Sequence, residues 1–328
     1  MRRLFPLATA AAAAALVLAA CGSPSSVDPE GAASADGELT PVTVGVIPIV
    51  DVAPIYLGVQ EGIFEKHGLD VTLELAAGGA AIVPSVVAGD YQFGFSNTTS
   101  LLLAASEGVP IKVVASGNFS TGEPGRDFSA VVAPADSEIG SAVDLAGKTV
   151  AVNTLKNIGD TTVRNVVDEA GGDPAAVQFV EMGFPDMPAA VAEGQVDAAW
   201  VVEPHLTRAV EMGAKIISSN FVETDHDLLV AAYFSSSKLV EQDPETIEAF
   251  SAAMDESLVY ATDNPEETRA ILDSYTEIDP VVKSVMVMPR FEPSLDPAYL
   301  QVVADLGLKY GMFDEPVDVA RLLPEPTS

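Results

Sequence analysis

The chain carries one stretch twice. Positions 86–112 recur as positions 191–217, 105 residues later and without a gap. Gly89 pairs with Gly194, Leu101 with Leu206, Ala104 with Ala209 and Gly108 with Gly213. Identities are few, but the order is kept: helix end, glycine stop, short apolar strand, polar helix start, helix, glycine stop, next strand. A chain built this way is expected to form two α/β lobes on one strand–helix–strand plan. Two such lobes can hold a solute between the ends of their strands.

The N-terminus places the work outside the cytoplasm. Arg2 and Arg3 precede an apolar run over 7–20 in which Thr9 is the only polar residue. Fourteen residues are too few to span a bilayer, which needs about 20. The run ends in Leu18-Ala19-Ala20-Cys21, followed by Gly22. This resembles the lipobox of bacterial lipoproteins, in which the cysteine is diacylated and becomes the mature N-terminus. Cys21 is the only cysteine in the chain. The reading is a signal peptide over 1–20, a lipid on Cys21 and a flexible tether over 21–40, rich in Ser, Pro, Ala and Gly. The mature protein is expected to be held at the outer side of the cell membrane by that lipid.

With its one cysteine used for lipid, the folded part must rely on packing rather than disulfides. Losing 1–20 removes two arginines, which leaves 14 Lys and Arg against 48 Asp and Glu and moves the net charge from -32 to -34. Such a field repels phosphate, so nucleic acid is not an expected partner. It keeps the chain soluble and does not name a ligand.

Alternation and punctuation give the elements. Strands are expected over 42–47, 69–75, 91–96, 110–115, 149–153, 177–181, 198–202, 215–218 and 228–235. Between them lie a helix after Pro54, one from Gly79 to Ala88, one opening at Asn97, and others over 161–169 and 187–192. From Val240 onward the pattern is helical, over 244–262, 265–275, 280–286 and 297–310, with Asp243-Pro244 and Asn264-Pro265 as start signals. Strands alternating with helices imply mostly parallel sheets. Lobe I is expected to take 41–131 plus 232–328, and lobe II 132–231, with crossings near 128–134 and 229–235.

Three segments then resemble a known family. The first has Gln60-Glu61-Gly62-Ile63-Phe64 ahead of His67-Gly68-Leu69-Asp70-Val71. The second is Leu145-Ala146-Gly147-Lys148-Thr149-Val150. The third is Gly194-Gln195-Val196-Asp197-Ala198-Ala199-Trp200 with Glu203-Pro204. Together they are similar to the solute-binding proteins of nitrate, sulfonate and taurine importers, over about 42–275. The resemblance implies a periplasmic-binding-protein type II fold, with two α/β lobes, a ligand cleft between them and two hinge crossings. It also implies capture of a small solute by lobe closure and delivery to an ABC permease with its ATPase. Relatives of this kind bind nitrate-like anions, sulfonates, pyrimidine precursors, flavins and aromatic acids.

The cleft should be lined by strand C-termini and helix N-termini. The candidates are Asp51, Val52, Gly79, Ala80, Ser96, Asn97, Thr98 and Asn118 in the first lobe. In the second they are Thr154, Asn157, Phe184, Trp200 and Glu203. Helix N-termini can hold an anion without a cationic side chain. A small organic anion, sulfonate-, taurine- or carboxylate-like, is therefore the expected solute. Asn97, Thr98 and Ser100 also fit plain helix capping. Glu203 could accept from an amine, or could serve only the helix dipole. Trp200, the only Trp, could stack on a ring or belong to the core. The alternative solute is a pyrimidine, a flavin or another aromatic or amine-bearing compound.

His67, His205 and His226 are widely separated, so no metal site is expected. No Gly-x-Ser-x-Gly elbow and no phosphate loop occur. The chain thus reads as a monomeric receptor without cofactor. A pyrimidine-synthase-like enzyme or a protein-binding surface lipoprotein are the other classes in view.

Overall fold

A computed structural model of the chain describes residues 38–324. The expected signal peptide, lipidation at Cys21 and tether, as far as residue 37, lie outside the described residues. The first strand begins at Thr40, whose N–H donates to the Gly68 carbonyl.

Ten strands form two five-stranded sheets. The first sheet holds β1 (Thr40–Val46), β2 (Leu69–Leu75), β3 (Phe93–Asn97), β4 (Ile111–Phe119) and β10 (Leu229–Ser236). The second holds β5 (Ser129–Ala133), β6 (Thr149–Val152), β7 (Gln178–Glu181), β8 (Ala198–Val202) and β9 (Lys215–Ser218). Their orders are β2-β1-β3-β10-β4 and β7-β6-β8-β5-β9. Replace each strand of the first by its counterpart and the second results. In each sheet one strand, β10 or β5, runs antiparallel to its two neighbours, and the other pairings are parallel. The sheets are therefore mixed where the alternation of strands and helices predicted mostly parallel ones.

The duplicated stretch accounts for this symmetry. β3 and β8 are offset by the same 105 residues. Gly89, Gly108, Gly194 and Gly213 all have positive φ, between 67° and 96°. Each ends a helix in the left-handed conformation that glycine takes without a Cβ penalty.

Burial follows the sequence pattern. Val42, Val44 and Val46 fill one face of β1, and β2 at the edge is mostly exposed. β8 and β10 are buried at every residue and accordingly read as near-continuous apolar runs. Side-chain caps start the helices: Asn97 for Thr98–Ser106, Asn157 for Ile158–Glu169 and Asp243 for Pro244–Asp263.

The chain crosses between sheets twice, between Phe119 and Ser129 and between Thr224 and Leu229. The lobe divisions expected at 131/132 and 231/232 fall inside β5 and β10, each of which pairs whole with one sheet. Asp127 ties the first crossing together. Its carboxylate accepts from Ser120 Oγ, from the N–H groups of Thr121 and Phe128, and from Val222 N–H. Arg290 reaches both crossings, donating to the Ser120 carbonyl and pairing with Asp227 at 2.8 Å.

Other elements depart from the sequence reading. Helix Ile158–Glu169 starts three residues early, because Asn157 caps it. Helices Asn220–Thr224 and Ser237–Gln242 were not foreseen. The stretch 265–275 divides into helix Pro265–Ala270 and a 3-10 turn Ile271–Ser274. Among the described residues no helix is long and apolar enough to cross a membrane.

Candidate functional site

A buried cavity lies between the sheets, at the C-terminal ends of their parallel strands. Both lobes line it through equivalent positions. The residue after the first strand contributes from each side, Ile47 beyond β1 and Asn153 beyond β6. Two alternating residues follow from β3 and β8: Phe95 with Asn97, and Trp200 with Val202. Positions 95 and 97 map onto 200 and 202 by the 105-residue offset. Ile49, Asp51, Val230 and Ala231 complete one wall, and Ile158, Phe184 and Phe221 the other.

The lobes are closed upon each other. The space left is about 30 Å³, room for a water or two. A ligand pocket is roughly ten times larger, so the cavity as it stands is too small for a solute. Contacts across the cleft hold this closed form. Asn97 Oδ1 accepts from Ser100 N–H in its own lobe at 2.9 Å and from Ile158 N–H in the other at 3.3 Å. Gly78 approaches Thr154, and an added Cβ would sit 3.0 Å from its hydroxyl. Tyr310 donates to Asn165 and Asp168 in the second lobe.

Trp200 is fixed rather than free. Its indole N–H donates to Ser129 Oγ at 2.8 Å, Ser129 donates to Asn220, and Asn220 donates to Thr162. Phe184 meets the ring edge-on with centroids 5.4 Å apart, and Phe221 tilts against it at 5.8 Å. Gly159 packs its backbone on the indole, where a Cβ would overlap the ring. Trp200 is therefore both core and cavity wall.

Asp51 is the one acid in the lining. It is 3 % exposed. Oδ1 accepts from Asn118 Nδ2 at 3.0 Å, and Oδ2 has no partner. Burial pushes its carboxyl up to about 7, against the pull of its own N–H and of Asn118. Asn118 Oδ1, Ser96 Oγ and Tyr233 OH are also buried without partners. Burial likewise raises Asp160, to about 6, beside the start of helix Ile158–Glu169.

Four of the expected site residues line the cavity: Asp51, Asn97, Phe184 and Trp200. Two stand directly behind lining residues, Asn118 holding Asp51 and Asn157 donating to Asn153 at 2.6 Å. The rest face elsewhere. Val52 is buried behind Asp51, and Gly79 and Ala80 begin a helix that packs on Ser96. Thr98 spends its hydroxyl on the Leu229 carbonyl at 2.9 Å. Thr154 sits at the cleft edge against Gly78. Glu203 points away from the cavity. It accepts from Thr207 N–H and hydroxyl at 3.0 and 2.8 Å and from Val287 N–H at 3.2 Å. Its carboxylate thus caps a helix and ties the lobes, which corrects the amine-acceptor reading. Desolvation raises its pKa.

The sequence missed Ile47, Ile49, Phe95, Asn153, Ile158, Val202, Phe221, Val230 and Ala231. Phe95 could have been found by carrying Trp200 back through the 105-residue offset. Phe221 belongs to an unforeseen helix whose preceding Ser219 makes no side-chain cap, so nothing signalled it.

None of the lining residues is Lys, Arg or His. The N–H groups that an anion would need at helix Ile158–Glu169 are taken. Asn97 receives Ile158 N–H, and Asn157 receives those of Gly159 and Asp160. A larger open groove of about 720 Å³ lies outside the cleft, between helix His205–Glu211 and residues 273–282. His205 lines it and stacks on Phe184 with ring centroids 6.1 Å apart, and burial lowers its pKa to about 4. Among the described residues no cluster of His, Cys, Asp and Glu could hold a metal ion.

Comparison with known proteins fits this architecture. The chain is 25% identical over 278 residues to a binding protein of Brucella abortus, covering 79% of this chain and 82% of that one. It is 25% identical over 225 residues to the formylaminopyrimidine-binding protein of Halalkalibacterium halodurans, covering 66% and 64%. The alkanesulfonate-binding protein SsuA of Xanthomonas axonopodis pv. citri, solved bound to MOPS, superposes with a TM-score of 0.74 at 16% identity over 88% of this chain and 99% of that one. These relatives are binding proteins by name, and the superposition bears out the two-lobed periplasmic-binding-protein fold. The family model described as NMT1/THI5 like matches residues 49–268, most of the chain, and the protein belongs to that family.

Proposed function

We propose that this protein is an extracytoplasmic receptor that captures a small solute by lobe closure and delivers it to an ABC import permease with its ATPase. The observation that carries the reading is the interlobe cavity, lined by equivalent positions of two duplicated lobes and too small for a solute as it stands. Contacts made on both sides reward the closed state, and a solute that makes them shifts the population toward it. The two crossings, clamped by Asp127 and Arg290, are the hinge. The lipid on Cys21 holds the receptor near the permease, and it works as a monomer.

The solute has a flat, apolar body. Phe95, Phe184, Trp200 and Phe221 wall the cavity, and only Asp51, Asn97 and Asn153 bring polar side chains to it. This supports the aromatic or amine-bearing solute over nitrate, taurine or an alkyl sulfonate. The likeness to a formylaminopyrimidine-binding protein points the same way.

The test uses the chain without residues 1–21, unfolded and refolded to strip bound solute. Trp200, the only Trp, reports on the cavity directly. Its fluorescence is titrated with aminopyrimidines, riboflavin, aromatic carboxylates, aryl and alkyl sulfonates, taurine and nitrate, alongside thermal unfolding. At about 100 times its dissociation constant a ligand adds about 2.7 kcal/mol of stability, roughly 5 °C for a chain of this size. A fluorescence change with matching stabilisation for one class supports the receptor. Silence across this panel, with no small molecule released when the natively purified protein is denatured, sinks it.

A further inference from the structure

We infer that the solute presents an N–H donor, such as an amidine, an amino-substituted heterocycle or an ammonium group, and that Asp51 Oδ2 is the atom that receives it. The inference rests on the receptor reading and names the chemistry of that site.

Asp51 is a carboxyl group buried in the wall of the cavity, with one oxygen held and one oxygen idle. Asn118 holds Oδ1 at 3.0 Å and thereby fixes the plane of the carboxyl group. A buried polar atom without a partner is destabilising. Such an atom in a binding cavity is satisfied when a ligand supplies the missing group. An ionised carboxylate can only accept, so the group it lacks is a donor. An anion at the same place would add a second negative charge with no cation in the lining to offset it. The aromatic walls accept the faces of a flat body while Asp51 reads its edge.

No group around Asp51 bonds Oδ2, the unpartnered Tyr233 hydroxyl included. The titratable groups facing it are Tyr233 from β10, and Tyr56 and Tyr275, which stack on each other with centroids 3.9 Å apart. Tyr275 already donates to the Ile49 carbonyl at 3.1 Å, and Asp127 acts from farther off as a like charge. Burial raises the Asp51 carboxyl toward neutrality. A cationic donor must therefore drive the proton off, so its affinity rises with pH through about 7. A neutral donor has no charge to reward the ionised form, so its affinity is flatter across the same range.

The experiment compares matched rings on the stripped chain lacking residues 1–21: benzamidine, benzylamine and 4-aminopyrimidine against benzoate and benzenesulfonate. Trp200 fluorescence is the readout, at pH 5.5 and pH 8. At pH 8, where Asp51 is ionised, at least one nitrogen-bearing ring should bind while neither acid does at equal concentration. Asp51→Asn turns part of the acceptor into a donor. It should weaken the nitrogen-bearing ring by at least tenfold and raise affinity for benzoate. A purely structural role would weaken both sets alike. If Asp51→Asn does not fold, mass spectrometry of the solute released from natively purified wild type decides, with a basic or N–H-bearing compound expected. A sulfonate or carboxylate without an N–H group, bound or released, overturns the donor assignment and leaves solute capture standing. No binding of any ring and no released solute overturns both.

Discussion

Replacing Asp51 by Asn should stabilise the protein at alkaline pH. The carboxyl titrates near 7 in the folded state against 3.8 when solvated. Its folded pKa lies above its unfolded one, so the folded state holds the proton more tightly. This group's contribution to stability is therefore fully present below pH 4 and is lost as pH rises toward 7. The difference is about three pKa units, or roughly 4 kcal/mol at 1.36 kcal/mol per unit. Relaxation and water entering the cavity reduce this, so about 2–4 kcal/mol is expected. Asn mimics the protonated form, and Asn118 can still donate to its side-chain carbonyl. Thermal unfolding of the two proteins at pH 5 and pH 8, both stripped of solute, isolates the effect. Of the other acids with raised pKa, Asp160, Glu203 and Asp255 titrate in both and cancel in the difference, and loss of the repulsion between Asp51 and Asp127 adds to the gain at pH 8. The gain should be roughly 4–7 °C at pH 8 and small at pH 5. An equal shift at both values, or a loss at pH 8, would refute the idea that a desolvated charge sits at Asp51.

Three further changes test the architecture around the cavity. In Glu203→Ala, the N–H groups of Thr207 and Val287 lose their acceptor, at a cost of about 1–3 kcal/mol. Hydrogen exchange at residue 287 should speed up, and unchanged protection there would show that the lobe tie is idle. Gly159→Val puts a side chain into the Trp200 ring, so overpacking should cost about 1–3 kcal/mol and alter Trp fluorescence before any ligand is added. A normal spectrum with wild-type stability would mean the indole is not packed as described. In Gly78→Leu the new side chain faces Thr154 across the cleft. Stability should be nearly kept while solution scattering shows a more open molecule and the solute binds at least tenfold more weakly.

How much of this was written in the sequence depends on what kind of residue carried it. Elements defined by period and punctuation were legible. β2, β8, β9 and helix Met187–Ala192 have the bounds that alternation and glycine stops predicted. Short helices without a capping side chain, such as Asn220–Thr224, left no such mark. The cavity was harder for a different reason. Its lining is mostly apolar, and an apolar residue facing a ligand looks in sequence like one facing the core. Phe95 and Phe221 cannot be told from Phe93 and Phe128 by composition or burial.

The duplication supplies the distinction that composition lacks. The polar helix starts drew attention to positions 97 and 98 and to Glu203, which is 98 carried forward by 105. Yet 98 and 203 are the first residues past the strand ends, and both turn their side chains back onto backbone groups. Thr98 donates to Leu229, and Glu203 accepts from Thr207 and Val287. The last residue of each strand, Asn97 or Val202, faces the cavity instead, and so does the residue two before it, Phe95 or Trp200. Period-two alternation dictates this, because residues two apart share a face. Once one member of the set is known to line the cleft, strand period and repeat offset give the other three. The shared plan thus fixes where the two lobes meet. The copies differ at Asn97 against Val202, at Phe95 against Trp200, and at Asp51, whose lobe alone brings a carboxylate to the cavity.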